Sequence, residues 1–279
     1  MTASKTEELS VAMMRPARAT PVSFKWWMAR PVLIRTMSVV LFLLLWEYFG
    51  RRVDPLFLAA PSKIIEAAVE MSVSGELWNA LISTLYPFAV GMVISILGGV
   101  LIGVAMAQWR LVEYIIDPFV NAMYAVPRVA LVPLIMLWAG LGISSKIIIL
   151  VSIAIFPVII NTFAGIRDVR HSMLEVGQAY CATDTQIFFK IVVPSAIPFL
   201  MTGIRLSVGL GIIGIVVAEF FTAQTGLGGI IIRYANLFAT AKMFVPIVVI
   251  GILGVVLTEV VGMIEVRLSR WRALEQKRD

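Results

Sequence analysis

The chain has 279 residues, 60% of them hydrophobic and only 14% charged, and a mean hydropathy of +0.95. Soluble domains carry about 45–50% apolar and about 25% charged residues, and the excess here comes in runs of roughly 18–22 apolar residues, the length that crosses a bilayer. One cysteine (Cys181) and one histidine (His171) exclude an internal disulfide and a Cys/His zinc site, and in so apolar a chain a net charge of +6 reads as cytoplasmic Lys/Arg bias rather than as a nucleic-acid surface.

Residues 1–31 form a polar tail carrying Lys5, Arg15, Arg18, Lys25 and Arg30 and ending in FKWWMARP, whose Trp26 and Trp27 suit a membrane interface. No small-residue cleavage site follows the first apolar run, so that run is expected to be an uncleaved span. Six spans are predicted, at about 32–50, 82–107, 128–143, 146–166, 197–221 and 244–264. Between the first two, DPLFLAAPSKIIEAAVE predicts a short amphipathic helix capped by Ser62 and lying along the outer surface. The second span contains Gly99-x-x-x-Gly103, a pattern that lets helices approach closely in lipid. The stretch YIIDPFVNAMYAVPRVALVPLIMLWAGLG holds Pro118, Pro127 and Pro133, and the residue before a proline is pushed out of the α region, so a break near Val126 is predicted. Two descriptions fit it: a helix over 114–125 at the cytoplasmic interface followed by a short span, or one tilted span kinked at Pro127. With the amino terminus inside, 17 of the 23 Lys and Arg fall in the cytoplasmic stretches 1–35, 108–128, 167–205 and 265–279, which fixes that orientation as the expected one.

Enzymatic chemistry finds no support. There is no G-x-x-x-x-G-K-[ST], since the glycine-rich TGLGGII lacks the lysine, and no G-x-S-x-G elbow or H-E-x-x-H helix. Among ionisable groups in the spans, Glu47 and Glu219 lie near outer ends and Arg205 near an inner end, each within reach of an interface. Glu259 is deeper, either bonded between helices or lining a path. A mid-depth series of acidic residues, as a proton-coupled carrier needs, is absent.

The segment HSMLEVGQAYCATDTQIFFKIVVPSAIP, residues 171–198, is the most informative. Ser172 with Glu175, and Thr183 with Gln186, both fit capping boxes, predicting short helices over about 173–180 and 184–192. They meet at Tyr180-Cys181-Ala182, where a helix end normally prefers glycine, and Pro194 is expected to interrupt the chain before span five. Such a unit is either a rigid handle for another protein or an amphipathic loop on the membrane surface.

This segment resembles the EAA loop of ATP-binding-cassette importer permeases: E-A-A, three residues, G, then I-x-L-P. Glu175 stands for the glutamate, Val176-Gly177 for the alanines, Cys181 for the glycine, Ile191 for the isoleucine and Val193-Pro194 for the closing pair. VPRVALVPLIMLWAGLGISSKIIIL, FPVIINTFAGIRDV, AIPFLMTGIRLSVGLG and VVAEFFTAQTGLGGII resemble the nitrate/sulfonate/taurine branch, so the likeness covers roughly 55–265. It implies an all-α polytopic fold of about six transmembrane helices, of the type I importer permease kind. The permease domain is placed at 32–266, with a coupling loop at 167–196 and a cytoplasmic tail at 267–279. It further implies a second permease copy in a homodimer, a separate cytoplasmic ATP-binding subunit holding ATP and Mg, and a periplasmic or extracellular substrate-binding protein. No cofactor is expected in the chain itself, and lipid is its surrounding. The ATPase-coupling residues are Ser172, Glu175, Gly177, Ala179, Cys181, Thr183 and Pro194; the residues assigned to the translocation path are Glu219, Glu259, Arg205 and Asn161. A stand-alone secondary carrier or channel, and a scaffold that uses the loop only for docking, are the competing readings.

Overall fold

The computed structural model describes residues 31–222 and 225–268, so the readings for the tail 1–30 and for 269–279 lie outside the described residues. Helix α1, Pro31–Gly50, is the first span, and almost its whole surface is exposed. It touches the bundle at its end, where Gly50 is buried because a Cβ there would lie 2.8 Å from the Ala60 Cα. Helix α2, Pro61–Val73, buries Ile64, Ala67 and Met71, one stripe at helical spacing. That stripe packs on protein, joining Leu77, Ala80, Leu227, Ile230 and Val245 in one apolar cluster. Ser62 does not cap this helix. The N-cap is Ala60 with Pro61 at the first turn, and the free Ser62 amide donates instead to Glu47 Oε2 at 3.0 Å. The Ser62 hydroxyl also donates to Glu47, at 2.8 Å. A carboxylate reaching over from α1 is a stronger acceptor at a helix N-terminus than the hydroxyl it displaces.

Three long helices form the core: α3 (Glu76–Gln108), α6 (Ile143–Arg167) and α9 (Val193–Thr222). Helix α6 lies between the other two and is half buried along its apolar window. Small residues set the approach. A Cβ on Gly99 would lie 2.7 Å from Val158 Cβ, and one on Gly103 would lie 2.7 Å from Thr162 Cβ. The Gly99-x-x-x-Gly103 pattern is therefore consumed inside the chain, between α3 and α6.

The third predicted span is broken. Helix α4, Arg110–Ala125, is followed by extended backbone at Val126 and Pro127, a 3₁₀ turn at Arg128–Leu131 and helix α5, Val132–Ala139, bent 93° from α4. The break falls where the proline predicts it. The placement of α4 at the interface does not hold, because α4 climbs alongside α6. Glu113 pairs with Arg167 at the foot, Val120 packs with Phe156 and Ile159, and Arg128 reaches the Ile153 carbonyl at the top. Its apolar face packs on α3 and α6. Arg128, counted above among cytoplasmic charges, lies 14 residues up α6 from Arg167, about 21 Å along the helix.

The loop between α6 and α9 contains α7 (His171–Ala179), α8 (Asp184–Ile187) and a π turn at Phe188–Val192. Pro194 does not interrupt the chain: α8, the π turn and α9 form one continuous run, Asp184–Thr222. The Val193 amide donates to the Phe188 carbonyl five residues back, and the widened turn accommodates the N–H that Pro194 cannot supply. The bundle closes with α10 (Leu227–Asn236) and α11 (Thr240–Leu268), which packs on α9 and α10. Five described helices are long and apolar enough to cross a membrane, or six if the bent pair counts as one. Every described element is helical, as expected for an all-α fold.

Candidate functional site

The α7–α8 loop is built by local rules. The first capping box does not form: the N-cap is Arg170 without a side-chain bond, and Glu175 lies 3.1 Å from His171 Nδ1, one turn back on the same helix. His171 enters the first turn itself and takes the carboxylate that a Ser172 box would need. The second box forms in full, with the Gln186 amide donating to Thr183 Oγ1 at 3.3 Å and the Thr183 amide donating to Gln186 Oε1 at 3.0 Å. Between them Cys181 adopts φ = +53°. Its amide donates to the Gln178 carbonyl at 2.8 Å and that of Ala182 to Gly177 at 3.0 Å, the paired bonds of a Schellman turn with cysteine where glycine is usual. The same turn ends α10, with Phe238 at φ = +53°.

Gly177 is buried because α7 crosses the π-turn segment closely; a Cβ there would lie 2.9 Å from Ile191 Cδ1. Ser172, Glu175, Ala179, Cys181 and Thr183 are exposed, and Pro194 sits half-buried in the first turn of α9. The outer face of α7 presents Met173, Val176 and Tyr180, the last 84% exposed. This is an apolar stripe at i, i+3 and i+7 that belongs to no membrane span.

At the opposite end of the bundle, Glu219 is fully buried and paired with Lys146, itself 4% exposed, at 3.2 Å. Lys146 Nζ also donates to the Thr225 carbonyl at 3.1 Å and hydroxyl at 3.0 Å. The Thr84 hydroxyl reaches both Glu219 oxygens, at 2.9 and 3.0 Å, and accepts from the Leu227 amide, while the Gly228 amide donates to Glu219 Oε2 at 2.9 Å. The glycine-rich TGLGG therefore folds around a carboxylate of its own chain. A Cβ on Gly226, which has φ = +93°, would lie 1.9 Å from Glu219 Oε1. Beside this cluster opens a cavity of about 190 Å³ lined by Glu76, Asn79, Ser83, Thr225, Gly226 and Arg233. Arg233 and the Tyr234 hydroxyl both donate to Glu76, at 2.9 and 2.7 Å, and burial together with that carboxylate raises the Tyr234 hydroxyl above the ordinary phenol range.

The four residues assigned to a path are not brought together. Asn161 is half-buried and donates to the Pro157 carbonyl of its own helix at 2.8 Å, against Gly203 of α9. Arg205 pairs with Glu265 of α11 near the loop end. Glu219 is locked as described. Glu259 lies exposed on α11, without a hydrogen-bond partner among the described residues. Sequence reasoning passed over Lys146 because it opens a span and looks interfacial; the usable signal was a Lys and a Glu at the same end of two different spans. No three His, Cys, Asp or Glu of the described residues cluster as metal ligands.

A membrane bundle with a broken span and a capped, protruding helix pair at one end is the body of a polytopic permease. Residues 95–270 match the family described as binding-protein-dependent transport system inner membrane component, and the chain belongs to that family, one of transport permeases rather than enzymes. It is 33% identical over 230 residues to the putative aliphatic sulfonates transport permease protein SsuC of Bacillus subtilis, covering 82% of this chain and 83% of that one. It is 30% identical to the formylaminopyrimidine transport permease protein ThiX of Halalkalibacterium halodurans (85% and 95% covered) and 27% identical to the taurine transport system permease protein TauC of Escherichia coli (94% and 98%). The fold is shared with the MetNI methionine ABC transporter, solved in inward-facing conformations, at a TM-score of 0.57 and 18% identity over 69% of this chain and 95% of that one.

Proposed function

We propose that this permease is the membrane subunit of an ATP-driven importer for a small polar or anionic solute of the sulfonate and taurine class. The observation that carries the coupling is the α7 stripe of Met173, Val176 and Tyr180, exposed outside the spans and held stiffly by the Thr183 box, the Schellman turn and the Gly177 contact. An apolar stripe on a fixed helix is what a partner's groove accepts. A separate cytoplasmic ATP-binding subunit, holding ATP and Mg, docks there through Ser172, Glu175, Ala179 and Cys181. An external substrate-binding protein delivers the solute to the far end, and a second copy of the chain completes the path as a homodimer. Both termini are cytoplasmic, the permease domain spans 32–266 and the coupling loop 167–196. Lys and Arg counts support that orientation. SsuC and TauC, named for sulfonates and taurine, support the solute class.

The work of the loop is differential affinity. A closed ATPase dimer that binds one arrangement of the two loops better than the other shifts the bundle by that difference and no more. Among the residues assigned to the path, Glu259 has a free, exposed carboxylate facing away from its own bundle, suited to the path or to the second copy.

The test is Glu175→Lys in the full-length chain, with co-purification of the ATP-binding subunit and stimulation of its hydrolysis as readouts. Loss of both is the expected result. Unchanged retention and stimulated hydrolysis would overturn the coupling role.

A further inference from the structure

Helix α4 carries a second message on its exposed side. Asp117, Asn121 and Tyr124 lie at i, i+4 and i+7 on its surface, and Arg128 continues the same line past the corner at Pro127. Asn121 donates to Asp117 at 2.9 Å, so the lower part of the stripe is internally satisfied. The opposite face is apolar and packs on α3 and α6 through Val120, Ile116 and Val112. This stripe rises from the Glu113–Arg167 pair to the level of Ile153, residue eleven of the 25 in α6. A polar helix face at that depth faces water or protein, because lipid leaves its groups unsatisfied.

At the top of the stripe, Arg128 pairs with no carboxylate among the described residues. Its guanidinium donates to the Met123 and Tyr124 carbonyls at 3.3 Å and to the Ile153 carbonyl at 3.4 Å, all long for N–H···O bonds. The Tyr124 and Phe156 rings lie 5.1 and 4.8 Å from its carbon. These contacts orient the fork without neutralising it, and they leave two of its five N–H donors unused. The α4 C-terminus it caps ends in extended backbone, the kind of helix break that sits beside ions and solutes at mid-depth in transport proteins.

We propose that the α4 stripe lines the solute path and that Arg128 is its mid-depth contact for the anionic group of a sulfonate-type solute. The assignment rests on the importer reading for its choice of anion. A planar guanidinium with two N–H donors left over matches the oxygens of R–SO₃⁻, and the Tyr124 ring lies face-on beside it. Asp117, about three turns below, keeps a second anion from lodging at the foot of the stripe.

The experiment uses the full-length chain in detergent, with thermal unfolding followed in millimolar sodium methanesulfonate against sodium chloride at equal ionic strength. Wild type is expected to show a saturable rise in Tm with methanesulfonate. Arg128→Gln is expected to weaken the apparent affinity roughly tenfold or more, the equivalent of one charge-assisted hydrogen bond. If Arg128→Gln does not fold, Arg128→Lys keeps the charge without the fork and is expected to weaken the shift severalfold. A wild-type shift no larger than in chloride, or variants that keep the full shift, would overturn the assignment. A chain that shows the Arg128-dependent shift yet retains no ATPase would overturn the importer reading and leave this site standing.

Discussion

Replacing Lys146 with Met tests the buried cluster most sharply. At 3.2 Å and an effective dielectric of about 20, the Lys146–Glu219 attraction is about 5 kcal/mol. Desolvating the two ions costs several kcal/mol each, so the pair as a whole contributes little net stability. Either single change keeps the cost and forfeits the attraction. Lys146→Met leaves a fully buried carboxylate held by the Thr84 hydroxyl and the Gly228 amide, which still donate to it. Glu219→Gln leaves an ammonium with two Thr225 oxygens. Each is expected to lose about 3–5 kcal/mol. The double variant removes both charges at nearly constant volume, and its glutamine carbonyl still accepts from Thr84 and Gly228, so it is expected to lose only about 1–2 kcal/mol. Denaturant unfolding of the full-length chain in detergent, arranged as a double-mutant cycle, reads the coupling directly. Single losses under about 1 kcal/mol, or single losses that simply add in the double variant, would refute the account.

Cys181→Gly removes a side chain from a left-handed position and is expected to stabilise the chain by about 1 kcal/mol, seen as a higher Tm with coupling retained. Thr183→Ala deletes the capping box that forms and is expected to cost about 1 kcal/mol, with faster amide exchange confined to Asp184–Ile187, whereas Ser172→Ala is expected to be neutral because its box does not form. Gly203→Ala places a Cβ 2.8 Å from the Pro157 carbonyl, which is backbone and cannot rotate away, so a loss of about 1–3 kcal/mol is expected; an unchanged unfolding midpoint would show that α6 and α9 are less tightly apposed than described.

The spans were legible because lipid imposes one rule on every residue of a helix, and runs of apolar residues report it directly. The break at Val126 was legible for an equally local reason, the proline after it. What sequence left hidden was pairing. Ser62 and Ser172 both sit where a cap belongs, but Glu47 and His171 outcompete them for the same partners, one from another helix and one from the preceding position. Lys146 and Glu219 are 73 residues apart, and nothing local announces that they meet. Arg128 illustrates the same limit for depth: three residues past a helix end it counts as cytoplasmic, until α4 is found climbing along α6 rather than lying across its foot. The turn at Cys181 was the reverse case. Cysteine in place of glycine looked like a departure, yet the backbone bonds of the Schellman turn are all present and the cysteine simply adopts the left-handed conformation they require.

The continuous helix from Asp184 to Thr222 makes the two ends of this bundle parts of a single lever about 58 Å long. From the π turn to Glu219 the arm is about 40 Å, so a tilt of about 5° there would carry the carboxylate about 3.5 Å. That displacement is as large as the Lys146–Glu219 bond itself. Helix α9 therefore cannot swing against α6 without tearing open a buried charge pair. A push delivered at the loop moves α6 and α9 as one block, and the hinge of the molecule has to be sought at the helices that are not tied into it.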